Sequence, residues 1–286
     1  MKPTPEYFKK QVESIQNDFR SGSATIARNA VYILKNTVMS HGTEINKNEL
    51  IDFAKQLKNA KPSMAALQNI LQTCIYEIGL LDNIQDFPVK AFKILKEMDT
   101  STEKCINNTI QILKENNYTK IITCTFSSTI LKLFESVAVS GNELKVYIIE
   151  SVFNKIDYGK QLYDKCLHNK IDADYILIKD AEKIINNIDC AIIGADRILT
   201  EGSVVNGTPS LFLAQKMQNR NKPFYAIAEN FKHSDIIIVE PGFEFIDKKL
   251  SVDLQGSNQI NTAAIIFDIY GNQVMSIILE NKINII

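Results

Sequence analysis

Residues 192–196, with the sequence IIGAD, place an acid directly after a short apolar run. Runs of this kind are typical of buried strands in a parallel sheet. Ligands of such sheets bind beyond the carboxyl ends of the strands, so we expect the Asp196 carboxylate to face a crevice. A carboxylate placed there can give or take a proton as a general acid or base. The alternative is a loop acid that caps a helix or pairs with Arg197.

A second predicted strand end, residues 121–128, carries four hydroxyl groups and the thiol of Cys124. A strand-to-helix turn of this composition presents hydroxyl and backbone N–H donors to a phosphate or a sugar. Thr125 and Ser127 are therefore candidate ligand-binding residues. Ordinary capping of the next helix by Ser127 or Ser128 accounts for the same composition.

Two later segments also suggest anion binding. Asn206 and Gly207 precede a helix predicted to begin at Pro209 or Ser210, and free N–H groups at a helix start can bind an anion. Lys232 follows a third apolar run and could reach a phosphate as a point charge. A solvated surface lysine is the alternative for that residue.

The helical part of the sequence contributes two further candidate anion sites. Ser21 and Gly22 precede one helical pattern, and Lys61, Pro62 and Ser63 precede another. The positive end of a helix attracts anions, so either segment could contact a ligand. Both serve equally well as plain helix starts.

Charge and hydropathy exclude several classes of partner. Lys and Arg number 32 against 33 Asp and Glu, so no general positive field exists to hold nucleic acid. We therefore expect no direct nucleic-acid partner. No segment approaches the roughly 20 apolar residues that span a bilayer. The polar start, MKPTPEYFKK, also lacks the apolar core of a secretory signal, so we expect a cytoplasmic protein without membrane contact.

The cysteines and histidines argue against disulfides and metal. The five cysteines are odd in number and never spaced as CxxC, which indicates free thiols in a reducing compartment. No two of the three histidines lie at metal-ligand spacing, so we expect no metal site. The GxxxxGKS/T and GxGxxG fingerprints are also missing, and we expect no cofactor.

The periodicity of apolar residues divides the chain into two parts. Residues 1–116 repeat apolar positions at helical spacing, which predicts a helical domain. Residues 117–286 alternate helical patterns with short apolar runs, which predicts an α/β domain with a mainly parallel sheet. The runs that predict strands are residues 120–123, 146–149, 175–178, 191–193 and 224–227.

Several motifs, taken in order, resemble one superfamily. They are residues 194–198 (GADRI), 204–206 (VVN), 222–225 (KPFY) and 228–229 (AE), with looser similarity at residues 21–24 and 61–63. The superfamily contains the α, β and δ subunits of translation initiation factor 2B, methylthioribose-1-phosphate isomerase and ribose-1,5-bisphosphate isomerase. The resemblance implies an N-terminal helical domain and a Rossmann-like C-terminal domain. It further implies a phosphorylated sugar or nucleotide as ligand, an oligomer, and translation initiation factors as partners.

The resemblance also implies roles for two residues. The isomerases of this superfamily use a cysteine at the strand end and the aspartate of the GAD segment, and Asp196 occupies the aspartate position. Alignment of the strand end places Thr125 at the cysteine position, and Cys124 falls one residue earlier. Since successive side chains of a strand point to opposite faces, we expect Cys124 to be buried in the packing layer. The catalytic candidates are therefore Asp196 and, if the turn has a different register, Cys124.

Other departures from the family pattern affect phosphate-binding positions. The NKxGT segment is NGTPS at residues 206–210, the ETRP segment is ESVF at 150–153, and the arginine of the RPT segment is Lys61. A guanidinium that grips phosphate with two hydrogen bonds is thereby replaced by a point charge or lost.

These observations favour a non-catalytic protein similar to the factor 2B subunits. Two alternatives stay open: a sugar-phosphate isomerase (an intramolecular oxidoreductase) with a shifted cysteine or another acid, and a divergent enzyme acting on another phosphorylated sugar. Apolar segments at residues 236–239 and 265–279 predict a two-fold homodimer formed through the C-terminal half, because they would leave a large patch on a monomer.

Overall fold

Helices form the first part of the chain and a layered α/β arrangement forms the rest. The computed structural model describes residues 2–199, 203–234 and 242–246, and the backbone of residues 263–266. The chain divides into two compact units between Thr100 and Ser101. The division falls inside one long helix, whereas the boundary predicted from the sequence follows the end of that helix.

The first unit consists of helices that each bury one apolar stripe. Its helices are α1 (Pro5–Gln16), α2 (Ser23–His41), α3 (Lys47–Lys58), α4 (Ala65–Leu80) and the beginning of α5 (Phe87–Glu115). The Thr4 side chain caps α1, and Asn46 with Glu49 forms a capping box at α3. The helices predicted from the periodicity of residues 1–116 are confirmed.

The second unit is built on a six-stranded parallel sheet. In spatial order its strands are β11 (Ala263–Ile266), β9 (Phe224–Ile227), β6 (Cys190–Ile193), β1 (Lys120–Cys124), β2 (Lys145–Ile149) and β5 (Ala173–Ile176). All five pairings between its strands are parallel, which confirms the fold class. One predicted run, residues 175–178, is displaced: β5 ends at Ile176, opposite the last residue of β2, and a 3-10 turn begins at Ile178.

Helices cover both faces of this sheet. The C-terminal part of α5 covers one face together with α6 (Ser128–Val139) and α7 (Tyr158–His168). The other face is covered by α8 (Ala181–Ile185) and α9 (Ser210–Gln218). Along β1, Ile121 packs on the first face, while Ile122 and Cys124 pack on the second. This alternation fixes the direction of the Cys124 side chain.

Two small antiparallel elements lie beside the main sheet. The strands β10 (Phe243–Ile246), β8 (Val204–Gly207) and β7 (Arg197–Ile198) form one of them, and β3 (Val152–Phe153) pairs with β4 (Ile156–Asp157) in the other. The apolar segment at 236–239 lies outside the described residues, as does 267–279. In the described part of the chain, no helix is long and apolar enough to cross a bilayer.

Candidate functional site

Thr125, directly after β1, has an unusual backbone conformation. Its φ angle is 64°, in the left-handed region that a β-branched side chain adopts only under strain. Strain of this kind costs roughly 1–3 kcal/mol and concentrates at functional sites. The side chain is buried at the carboxyl end of the central strand. Its conformation therefore marks this strand end as the centre of a candidate site.

A chain of polar side chains surrounds Thr125. The Asn206 amide group donates to the Ser210 hydroxyl at 2.8 Å and lies 3.5 Å from the Thr125 hydroxyl. The Ser210 hydroxyl in turn donates to the Gly207 carbonyl at 2.6 Å. We call Cys124, Thr125, Asn206, Gly207 and Ser210 the strand-end cluster. The cluster joins the end of β1 to the start of α9 through the end of β8.

Cys124 takes part in this cluster from the packing layer. Its side chain is 1% exposed, and its sulfur lies 3.4 Å from the Ser210 hydroxyl oxygen. Because the Ser210 proton is directed to Gly207, the thiol is the donor in this contact. Burial raises the pKa of the Cys124 thiol to about 12, and the Glu244 charge adds to the effect. The expectation that Cys124 is buried is confirmed, and the thiol stays protonated near neutral pH.

Ser127 connects the ends of β1 and β6. Its hydroxyl accepts a hydrogen bond from the Ile130 N–H at 3.3 Å and so caps α6. A Cβ atom added to Gly194 would lie 2.6 Å from the Ser127 hydroxyl oxygen. The glycine is therefore required for the close approach of the two strand ends.

Asp196 lies at the same edge of the sheet as the strand-end cluster. Its backbone N–H donates to the Val205 carbonyl at 2.9 Å, one residue before Asn206. Asp196 is half-buried, while its neighbour Arg197 is almost fully buried and donates to the Ser234 hydroxyl. Asp196 thus lies beside β8, whose last two residues, Asn206 and Gly207, belong to the strand-end cluster.

Lys232 lies in a buried ion pair. Its ammonium nitrogen is 2.8 Å from Glu229 Oε2, and the two side chains are 2% and 0% exposed. Glu229 Oε1 also accepts hydrogen bonds from Thr102 at 3.1 Å and Thr129 at 2.8 Å. The alternative interpretation of Lys232 as a solvated surface lysine is therefore wrong. A phosphate that contacted Lys232 would have to compete with Glu229 for the ammonium group.

Opposing effects set the ionisation of Glu229. Burial raises its pKa, but the charge of Lys232 and the hydrogen bonds from Lys232 and Thr129 outweigh burial and leave the pKa lowered. In the sequence Glu229 stood out only as part of a family motif. Its partners Thr102 and Thr129 carried no sequence signal, because they lie more than 90 residues away along the chain.

The candidate residues of the first unit form their own group. The Lys61 ammonium lies 4.4 Å from the centre of the Phe19 ring, two residues before Ser21. The Asp18 carboxylate accepts a hydrogen bond from the Ser21 N–H at 2.9 Å, and Gly22 precedes α2 without a side-chain cap. Pro62 and the buried Ser63 follow Lys61 in the turn before α4. The structure therefore brings the two predicted helix starts of this unit together.

Glu244 was not identified from the sequence. Its carboxylate accepts a hydrogen bond from the backbone N–H of Leu211, in the first turn of α9, at 2.7 Å. The contact depends on the pairing of β10 with β8, in which Glu244 lies opposite Asn206. No periodicity in the sequence indicated that pairing.

The described residues offer no group of three His, Cys, Asp or Glu side chains that could hold a metal ion. Two surface clefts, of about 440 and 260 Å³, lie elsewhere: one beside the end of α2, the other between α5 and α6. Neither is lined by a candidate residue. The polar cluster and its strained residue identify the candidate site better than these clefts, which gather no comparable chemistry.

Comparison with known sequences places this site in context. The model of the Initiation factor 2 subunit family matches residues 20–279. A Pyrococcus furiosus protein described as eIF-2B subunit 2-like is 24% identical over 235 residues, covering 80% of each chain. The ribose 1,5-bisphosphate isomerase of Archaeoglobus fulgidus is 25% identical over 239 residues, covering 80% of this chain and 74% of the isomerase.

Solved structures show the same fold at lower identity. The translation initiation factor eIF-2B of Pyrococcus horikoshii has a TM-score of 0.75 at 19% identity, covering 93% of this chain and 96% of that chain. The 5-methylthioribose 1-phosphate isomerase of the same organism has a TM-score of 0.69 at 17% identity, covering 91% and 83%. Proteins with both kinds of name therefore share this architecture.

Proposed function

Since the chain belongs to the Initiation factor 2 subunit family, we propose that it is a non-catalytic member similar to the factor 2B subunits. In this proposal the strand-end cluster and Asp196 bind a phosphorylated sugar or nucleotide, and the protein acts in the cytoplasm. The observation that carries the proposal is the state of the Cys124 thiol. It is buried and hydrogen-bonded to the Ser210 hydroxyl, and burial raises its pKa to about 12.

The chemistry of isomerisation explains why this thiol matters. A 1-phosphate prevents the sugar ring from opening freely, so moving hydrogen between C1 and C2 needs a positioned acid and a positioned base. Asp196 can supply one of the two groups. Thr125 stands at the strand end in place of an exposed thiol, and its hydroxyl can hydrogen-bond a ligand without exchanging protons near neutral pH. The cluster is therefore better suited to binding than to turnover.

A second candidate function is isomerisation of a sugar 1-phosphate. The position of Asp196 beside the cluster favours it, as do relatives named as isomerases at 25% and 26% identity. This function would require an acid other than Cys124, or exposure of the thiol when the ligand binds.

Turnover assays separate the two functions. We expect no isomerisation of 5-methylthioribose 1-phosphate or ribose 1,5-bisphosphate by the wild type. Measurable turnover in the wild type that collapses in Cys124→Ser, with folding intact, would overturn the non-catalytic proposal.

Binding of the same sugars is measured in parallel. Asn206→Ala should weaken binding, because Asn206 joins Thr125 to Ser210. The control Asn219→Ala changes an exposed residue at the end of α9 and should leave binding unchanged. Equal binding by the two variants would exclude the strand-end cluster as the ligand site.

Assembly and partners complete the proposal. The tetrameric eIF2B-β2-δ2 complex from Chaetomium thermophilum has the same fold, with a TM-score of 0.68 at 14% identity. This supports a homodimer or larger oligomer for the present chain, with translation initiation factors as candidate partners.

A further inference from the structure

The Glu244 carboxylate occupies the position where a ligand anion would meet the first turn of α9. We propose that Glu244 determines ligand specificity: it excludes a phosphate from the start of α9 and selects a hydroxyl-bearing part of the ligand there. The inference rests on the proposed binding function of the strand-end cluster. It assigns a role to a residue that the sequence motifs do not include.

The strand pairing directs Glu244 toward the cluster. In the antiparallel pair of β10 and β8, Glu244 lies directly opposite Asn206, and opposite residues of such a pair project from the same face. Asn206 reaches Thr125 and Ser210 from that face, and Glu244 reaches Leu211. Both side chains therefore converge on the start of α9.

The hydrogen bond to Glu244 satisfies the Leu211 N–H, which would otherwise be available to an anion. The first N–H groups of a helix have no partner within the helix. Pro209 precedes α9 and provides no side-chain cap, but the Glu244 carboxylate accepts from the Leu211 N–H at 2.7 Å. A hydrogen bond between a carboxylate and a helix-start N–H is charge-assisted and is favoured by the helix dipole.

The negative charge of Glu244 determines which part of a ligand can approach the start of α9. A phosphate at the start of α9 would meet a negative charge at short range, where repulsion between like charges is strong. An ionised carboxylate only accepts hydrogen bonds, so it suits the hydroxyl groups of a sugar. The ligand's phosphate must then bind away from this helix.

The test compares Glu244→Gln with the wild type, using inorganic phosphate as the probe. Glutamine keeps an acceptor for the Leu211 N–H but removes the charge. We expect Glu244→Gln to bind phosphate at least about tenfold more tightly by calorimetry, since like-charge contacts cost more than the free energy of a tenfold change. Phosphate should also raise the melting temperature of this variant more than that of the wild type.

A matched variant separates this effect from a general change in charge. Glu182→Gln removes the same charge from an exposed residue of α8 that pairs with Lys216, and it should bind phosphate as the wild type does. Equal phosphate affinity in Glu244→Gln and the wild type, with or without measurable binding, would overturn the inference. An equal gain in both variants would also overturn it. Failure of the proposed function shows differently, as absence of sugar-phosphate binding by the wild type.

Discussion

The sulfur of Cys124 lies 3.4 Å from the hydroxyl oxygen of Ser210, so the end of β1 is joined to the start of α9 through a protonated thiol. The thiol acts as a hydrogen-bond donor inside a packed layer. The thiol thereby helps to hold Thr125 in place. It is not an exposed nucleophile.

Thiol titration tests this arrangement. All five cysteines are buried, and burial raises the pKa of the Cys74, Cys124 and Cys166 thiols to about 12. Because the thiolate is the reactive form, we expect no rapid reaction with an aromatic disulfide reagent at pH 8. Five thiols should react after unfolding in guanidinium chloride. A fast native thiol that disappears in Cys124→Ser would show that the pocket exposes Cys124.

The backbone at Thr125 predicts an inverted order of stability for two substitutions. At a φ of 64°, glycine is free of the penalty that any side chain meets, so Thr125→Gly should be more stable than Thr125→Ala by about 1 kcal/mol. At Thr123, inside β1, the usual order should hold, with the glycine variant less stable by roughly 0.5–1 kcal/mol. Urea unfolding measures all four variants. The same order at both positions would contradict the strained conformation of Thr125.

The contact between Gly194 and Ser127 predicts a steric effect. An alanine at 194 would place its Cβ 2.6 Å from the Ser127 hydroxyl oxygen, so Gly194→Ala should lower the free energy of unfolding by about 1–3 kcal/mol. Gly79 in α4 has open space around the added atom, and Gly79→Ala should stabilise by roughly 0.5–1 kcal/mol. Adding Ser127→Gly to Gly194→Ala should recover part of the loss. Strictly additive effects would show that the two residues do not touch.

The buried ion pair predicts a large loss of stability. Lys232→Met leaves the Glu229 carboxylate buried without its cation, which should cost about 3–5 kcal/mol at neutral pH. The exposed pair of Lys183 and Asp180 serves as control, and Lys183→Met should cost far less, because solvent screens exposed ion pairs. Chemical denaturation at pH 7 compares the two variants. Equal losses would contradict the role of burial.

The same pair predicts how stability depends on pH. The folded pKa of Glu229 is lowered, so its stabilising contribution is present above the unfolded pKa of about 4.3 and is lost as pH falls through the folded value. In Lys232→Met the charge and the hydrogen bond of Lys232 are lost, only the remaining hydrogen bonds oppose burial, and the pKa of Glu229 should rise. The difference in stability between wild type and variant should therefore begin to shrink above the ordinary pKa of about 4.3, as the variant's carboxylate takes up a proton, and shrink further below it, as Glu229 of the wild type does. A difference that stays constant would exclude an ionised Glu229.

Assembly is tested by light scattering at micromolar concentration. The apolar segments at 236–239 and 265–279 predict burial between two copies of the chain, so we expect the mass of a dimer or a larger oligomer. A monomer at this concentration would count decisively against the proposed assembly.

Local patterns in the sequence predicted most of the fold. The change of apolar period near residue 118 separated helices from the α/β layers because each element buries a regular face. The alternation of side chains along β1 correctly placed Cys124 in the packing layer. The displaced end of β5 shows the limit, because Leu177 and Ile178 are apolar but partly exposed beyond the strand.

The site was harder to predict, because its contacts depend on how separate elements pair. Lys232 pairs with Glu229 only through the 3-10 turn that connects them, and the spacing alone did not indicate a buried pair. Glu244 reaches α9 through an antiparallel register that its own strand does not encode. The strain at Thr125 comes from the turn geometry, which threonine itself does not favour.

The hydrogen bonds around Glu229 have a consequence for synthesis of the protein. Thr102 and Thr129 precede their partner by 127 and 100 residues, so neither bond can form until Glu229 has left the ribosome. Closing such long loops is entropically costly, and contacts of this separation form late in folding. During translation, therefore, the Thr102 and Thr129 hydroxyls cannot yet donate to Glu229 when α5 and α6 have been synthesised. Glu229 and Lys232 lie only three residues apart, so the carboxylate and the ammonium group that neutralises it are synthesised almost together.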